Sequence, residues 1–92
     1  MIFAIHALDR PEAGSLRAET RPVHLEYVAG FDVAYGGPLL DGEGKMCGSL
    51  VILEAEDLAA AEAFAAGDPY AVAGLFERVE IRGFLPLLGM QD

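Results

Sequence analysis

Few side chains in this sequence can move a proton or attack carbon near neutral pH: two histidines, His6 and His24, and one cysteine, Cys47. Cys47 has no basic neighbour in sequence to activate it and reads as a small buried hydrophobe. Ser49 lacks a Gly-x-Ser-x-Gly setting, so it reads as a strand residue whose hydroxyl can hydrogen-bond a ligand. "GEGK" followed by Met46 lacks the first glycine and the Ser/Thr of a phosphate-binding loop and reads as a hairpin turn. His6 and His24 have no His-x-x-x-His or acidic–His spacing around them, so no metal and no cofactor are expected. That leaves His24, in "RPVHLEYV", and Asp68, in "GDPY". Taken singly, His24 reads as a half-buried core histidine and Asp68 as a turn residue.

As a pair they would do more. An aspartate beside a histidine fixes the ring's tautomer and balances the imidazolium when a proton arrives. The histidine then serves as general acid or base. No strong nucleophile accompanies them, which favours proton abstraction, isomerisation or elimination over acyl transfer. Arg21, one turn before His24, can bind a carboxylate or enolate oxygen.

The totals narrow the setting. The chain has 92 residues, enough for one domain spanning 1–92. It carries 15 acidic and 6 basic residues, a net charge of −9, which argues against nucleic acid and anionic membrane surfaces as partners. No run approaches the ~18 apolar residues of a membrane span. A lone cysteine forms no internal disulfide, and "MIFAIHALDR" lacks the form of a signal peptide, so the cytoplasm is the expected location. Hydrophobic residues make up 53% of the chain, above the ~45–50% of typical domains. That excess asks for a covering partner, most simply a second copy.

The elements that must position His24 and Asp68 follow from periodicity. "MIFAIHAL" is a strand and residues 9–19 a charged loop. Thr20 caps a helix that starts at Arg21 and runs to about Asp32, with Leu25, Val28 and Ala29 as its apolar stripe. "VAYGGPLLD" is a strand kinked at Gly36-Gly37-Pro38, and it forms a hairpin with "MCGSLVILEA". In that last strand Ser49, Val51 and Leu53 share one face. Asp57 caps a second helix with Leu58, Ala61, Phe64 and Ala65 inward, and Gly67 ends it. A short, partly helical "AVAGL" turn leads to the last strand, where Val79 and Ile81 alternate with Glu80 and Arg82.

This order, β-α-β-β-α-β, is the split, ferredoxin-like α+β plan: an antiparallel sheet with both helices on one face. Apolar residues on both faces of the third strand predict that two sheets pack together in a dimer. The plan does not by itself bring the end of the second helix to His24.

"RPVHLEYV", "GGPLLD" and "DPYAVAGLFERVEIRGF", in this order over nearly the whole chain, resemble the YCII-related family. The resemblance implies a dimeric α+β barrel of ferredoxin-like protomers, related to muconolactone-isomerase-like proteins. It implies a His24–Asp68 dyad in a cleft lined by Arg21, Gly37, Pro38, Ser49 and Tyr70. The short "DGEGK" loop departs from the family pattern and would reduce any cleft wall built there. Dehydrochlorination of a chlorinated hydroxyquinol is one activity related to the family. The expected function is a small cofactor-free enzyme of lyase or isomerase type acting on a small metabolite. The alternatives are a non-catalytic ligand-binding or sensing module with the same cleft, and an interaction domain whose dimer surface is its whole function.

Overall fold

In the computed structural model, which describes residues 1–89, seven elements follow one another. They are β1 (Ile2–Asp9), α1 (Leu16–Val28), β2 (Val33–Leu40), β3 (Met46–Glu54), α2 (Leu58–Gly67), α3 (Pro69–Val72) and β4 (Phe76–Gly83). The four strands form one sheet in the order β2-β3-β1-β4, and every neighbouring pair is antiparallel. This is the ferredoxin-like α+β arrangement, with a short third helix added before the last strand.

Alternation along the central strands sorts their residues between two faces. Phe3 and Ile5 of β1, and Val51 and Leu53 of β3, pack with Ala61 and Phe64 of α2 into the core. Tyr27 and Val28 of α1, Val33 and Ile81 close its sides. Each large side chain so buried contributes about 1.5–3 kcal/mol of transfer free energy. The intervening residues Ala4, His6, Leu8, Leu50 and Ile52 occupy the opposite face.

Three local expectations need correction. First, α1 begins at Leu16, not Arg21, and ends at Val28 rather than near Asp32. Gly14, in the left-handed region at φ 61°, turns the chain into the helix. Ser15 donates to Glu19 across the first turn at 2.7 Å. Pro22 therefore lies inside the helix, where its missing N–H costs a backbone bond; both it and Val23 face solvent. Second, of Leu25, Val28 and Ala29 only Val28 packs on the core, and Leu58 is also exposed, because Tyr27 and Phe64 fill that space instead.

Third, β2 does not kink at Gly36-Gly37-Pro38. Its pairing with β3 runs unbroken there, and the irregularities fall at Val33/Tyr35 and Leu39/Leu40. Gly36 serves close approach, since a Cβ there would sit 2.8 Å from the Leu50 carbonyl oxygen. α2 does end at Gly67, as expected. A Cβ at that position would come within 2.6 Å of the Tyr27 hydroxyl. The chain leaves the helix at Asp68, whose ψ of 126° is extended.

Candidate functional site

Starting α1 at Leu16 places Arg17, Arg21 and His24 at i, i+4 and i+7, along one helix face. Arg17 is buried. Its Nε and Nη2 donate to the two carboxylate oxygens of Asp9 at 2.8 and 2.7 Å, the bidentate fork that arginine is shaped for. Nη2 also donates to Ser49 Oγ at 3.0 Å. Burial works against the guanidinium's charge, but the Asp9 bonds and charge outweigh it, so the group is held above its ordinary value. Asp9 ends β1, where the register with β4 shifts.

Asp68 stands between α2 and α3. Its Oδ1 accepts the Tyr70 backbone N–H at 2.9 Å, capping α3. The same oxygen lies 2.8 Å from His24 Nδ1. A carboxylate only accepts, so Nδ1 carries the proton and Nε2 is the basic nitrogen; this tautomer follows from the bonding pattern. The ends of α1 and α2 meet because Tyr27 seats on Gly67 and donates to the Phe64 carbonyl at 3.0 Å. Leaving helical geometry at Asp68, the chain then turns α3 back against α1.

Tyr70 joins the two halves of the site. Its ring stacks on His24, with centroids 4.0 Å apart and planes inclined by 18°. The Arg17 guanidinium carbon lies 4.7 Å from the same ring's centroid, a cation–π contact. Burial pushes the Tyr70 phenol above its usual 10.0, against the opposing pull of Arg17 and Arg21. It stays protonated, a donor, throughout the neutral range.

These groups border a cavity of about 240 Å³. Arg21, His24, Gly37, Pro38, Ser49 and Tyr70 all lie on its wall. Asp68 does not, because it sits behind His24. Val28, Val51 and Met46 supply apolar surface. Arg17 also lines the cavity, and neither it nor Asp9 is among the residues expected from sequence. The available signal was the i, i+4, i+7 spacing of Arg17, Arg21 and His24, hidden by reading residues 9–19 as a loop. Among the described residues no group of three or more His, Cys, Asp or Glu side chains is placed to hold a metal ion. Among them, too, no helix is long and apolar enough to cross a membrane.

With this geometry in view, likeness to known proteins gives it a context. The sequence model of the YCII-related domain matches residues 1–85. Protein YciI of Escherichia coli O6:H1 and of Shigella flexneri are each 34% identical over 94 aligned residues, covering 91% of this chain and 96% of the relative. The 5-chloro-2-hydroxyhydroquinone dehydrochlorinase TftG from Burkholderia phenoliruptrix AC1100, solved with 2,5-dihydroxybenzoquinone, superposes with a TM-score of 0.86 at 30% identity. That match covers 92% of this chain and 94% of the other. Rv0793 from Mycobacterium tuberculosis shares the fold, at a TM-score of 0.55 and 17% identity over 98% of this chain and 97% of its own. On the family match and the YciI relatives, the chain belongs to the YCII-related family.

Proposed function

We propose that the chain is a small cofactor-free enzyme in which His24 and Asp68 act as a general acid/base dyad on a small metabolite, in a lyase or isomerase reaction. The observation that carries this reading is the 2.8 Å bond between His24 Nδ1 and Asp68 Oδ1, with the imidazole on the cavity wall. Nε2 takes a proton from the bound molecule. The electron pair left behind forms a new π bond, and in an elimination the leaving group departs with its own bonding pair. Asp68 balances the imidazolium, and His24 returns the proton at the end of the cycle. Such a group typically supplies ~10²–10⁴-fold in rate. Arg21 and Ser49 bind the substrate's oxygen atoms, Tyr70 orients His24, and Gly37 and Pro38 form a wall. TftG, named a dehydrochlorinase and solved with a hydroxylated quinone, supports elimination on an oxygenated ring as the nearest chemistry.

A second reading is a ligand-binding or sensing module that uses the same cleft without turnover. The Tyr70 N–H bond to Asp68 favours it, because that bond gives the aspartate a structural task of its own. A screen of oxygenated single-ring compounds separates the two. The enzyme reading expects product from the native chain, and none from His24→Ala or Asp68→Asn variants whose circular dichroism is unchanged. Binding without product supports the module. Full turnover by both variants makes the pair structural.

Two copies packed sheet to sheet into a dimeric α+β barrel belong to the same proposal, as does a cytoplasmic location. Half-buried Leu8 and Leu50 on the face away from the helices, with exposed Tyr35 on the neighbouring edge strand, support the dimer. Phe84, Leu85, Leu87 and Leu88, exposed after β4, add apolar surface to be covered. Sedimentation tests it: a dimer is expected for the native chain and a monomer for Leu50→Lys. A native monomer contradicts it.

A further inference from the structure

We infer that the cleft selects a ligand bearing one negative charge on oxygen, on a body no larger than a single ring, and that Asp9 sets this charge count by cancelling Arg17. The inference rests on the cleft being the ligand site, as in the proposed function.

The chain as a whole repels anions, with 15 acidic residues against 6 basic. The cavity wall reverses that balance: it holds Arg17 and Arg21 and no carboxylate. The two arginines are not equivalent. Arg17 gives both arms of its fork to Asp9 and a further bond to Ser49, so its charge is matched within the protein. The Arg21 side chain makes no hydrogen bond or ion pair among the described residues and stands exposed at the cavity. Asp68 lies off the wall, its Oδ1 engaged by His24 and by the Tyr70 N–H. One unmatched cation therefore faces the ligand.

A guanidinium offers paired, planar donors, which suits a carboxylate, phenolate or enolate better than a neutral carbonyl. A second negative charge would enter beside Leu25, Val28 and Val51 with no second unmatched cation to meet it, at the cost of its desolvation. The volume, about 240 Å³, falls below the ~300–1,000 Å³ of drug-sized sites and suits one ring between these walls. When the ligand begins as a neutral acid, the proton passed to His24 creates the same single charge opposite Arg21.

The test follows the Tyr70 and His24 ring signals by NMR during titration with benzoate, its neutral isostere benzamide, and the dianion phthalate. Benzoate is expected to bind at least roughly tenfold more tightly than benzamide and more tightly than phthalate. Arg21→Gln, at an exposed position, is expected to bring benzoate down to the level of benzamide. Asp9→Asn keeps an acceptor for Arg17 while freeing its charge, and is expected to raise phthalate relative to benzoate. The inference is overturned if benzoate fails to bind at millimolar concentration, if benzamide or phthalate binds as tightly, or if Arg21→Gln changes nothing. A folded Asp9→Asn with an unchanged ratio removes Asp9 from it; where that variant does not fold, the native preference for benzoate over phthalate decides. Benzoate binding with no turnover of any compound sinks the enzyme reading and leaves this one standing. Turnover of a neutral compound by a cleft that ignores benzoate does the reverse.

Discussion

Two turns of this chain are built on aspartate, and only one of them is a candidate for chemistry. In the β2–β3 hairpin, Asp41 accepts the backbone N–H groups of Glu43 and Lys45 at 2.8 and 3.0 Å, out in solvent. At the α2–α3 junction, Asp68 accepts one backbone N–H, that of Tyr70, and its other partner is the His24 ring. Asp68 is 6% exposed. The turn chemistry is the same in both places. What differs is that α1 carries a titratable side chain up to one of them, and that neighbouring side chains keep water away. A turn aspartate becomes a site residue through what the rest of the fold brings to it.

The sharpest way to break this contrast is to remove each carboxylate while keeping its shape. Asp68→Asn retains an acceptor for Tyr70 but no longer balances an imidazolium. Turnover is expected to fall by ~10²–10⁴-fold with little loss of fold, whereas Asp41→Asn leaves kcat unchanged. Equal effects from the two variants would erase the distinction. Next in size is the support behind the site. Arg17→Ala strands Asp9 in a buried position and is expected to destabilise by about 3–5 kcal/mol in urea unfolding.

A smaller effect is expected at Gly67→Ala. Its methyl group displaces the Tyr27 hydroxyl from the Phe64 carbonyl, costing about 0.5–1.5 kcal/mol and loosening the approach of α3 to α1. Chemical denaturation measures the first consequence, and a change in the His24 ring signals the second. The smallest effect is at Asp41 itself. The N–H groups of Lys45 and Glu43, helped by the Lys45 charge, hold its carboxyl below the usual 3.8. Its contribution to stability is present above 3.8 and is lost as pH falls through the lowered value. Amide shifts of Glu43 and Lys45 should stay flat down to that region and then move. Movement centred above 3.8 would contradict the turn geometry.

Much of the fold was legible in the sequence, because the strands and α2 carry their own signals. Val79 and Ile81 alternate with charged residues, Ser49, Val51 and Leu53 share one face, and Asp57 caps α2 by accepting the Ala60 N–H at 2.9 Å. The start of α1 was hidden because its first turn is held by a Ser15–Glu19 bond and reached through Gly14, in a stretch whose proline, glycine and charges look like a loop. Missing that turn meant missing Arg17, and with it the partner of Asp9. The His24–Asp68 contact was out of reach of any local rule. It depends on Tyr27 seating on Gly67 and on α3 folding back, contacts between residues far apart in sequence; the family resemblance pointed to the pair where periodicity could not.

General acid/base work by the pair depends on which nitrogen of His24 holds the proton in the resting protein. Long-range nitrogen–proton NMR on the imidazole reads this directly. A protonated Nδ1 bonded to Asp68 and a bare Nε2 are expected, with that preference weakened in Asp68→Ala. A resting ring protonated mainly at Nε2, or a tautomer that does not respond to Asp68→Ala, would contradict the dyad.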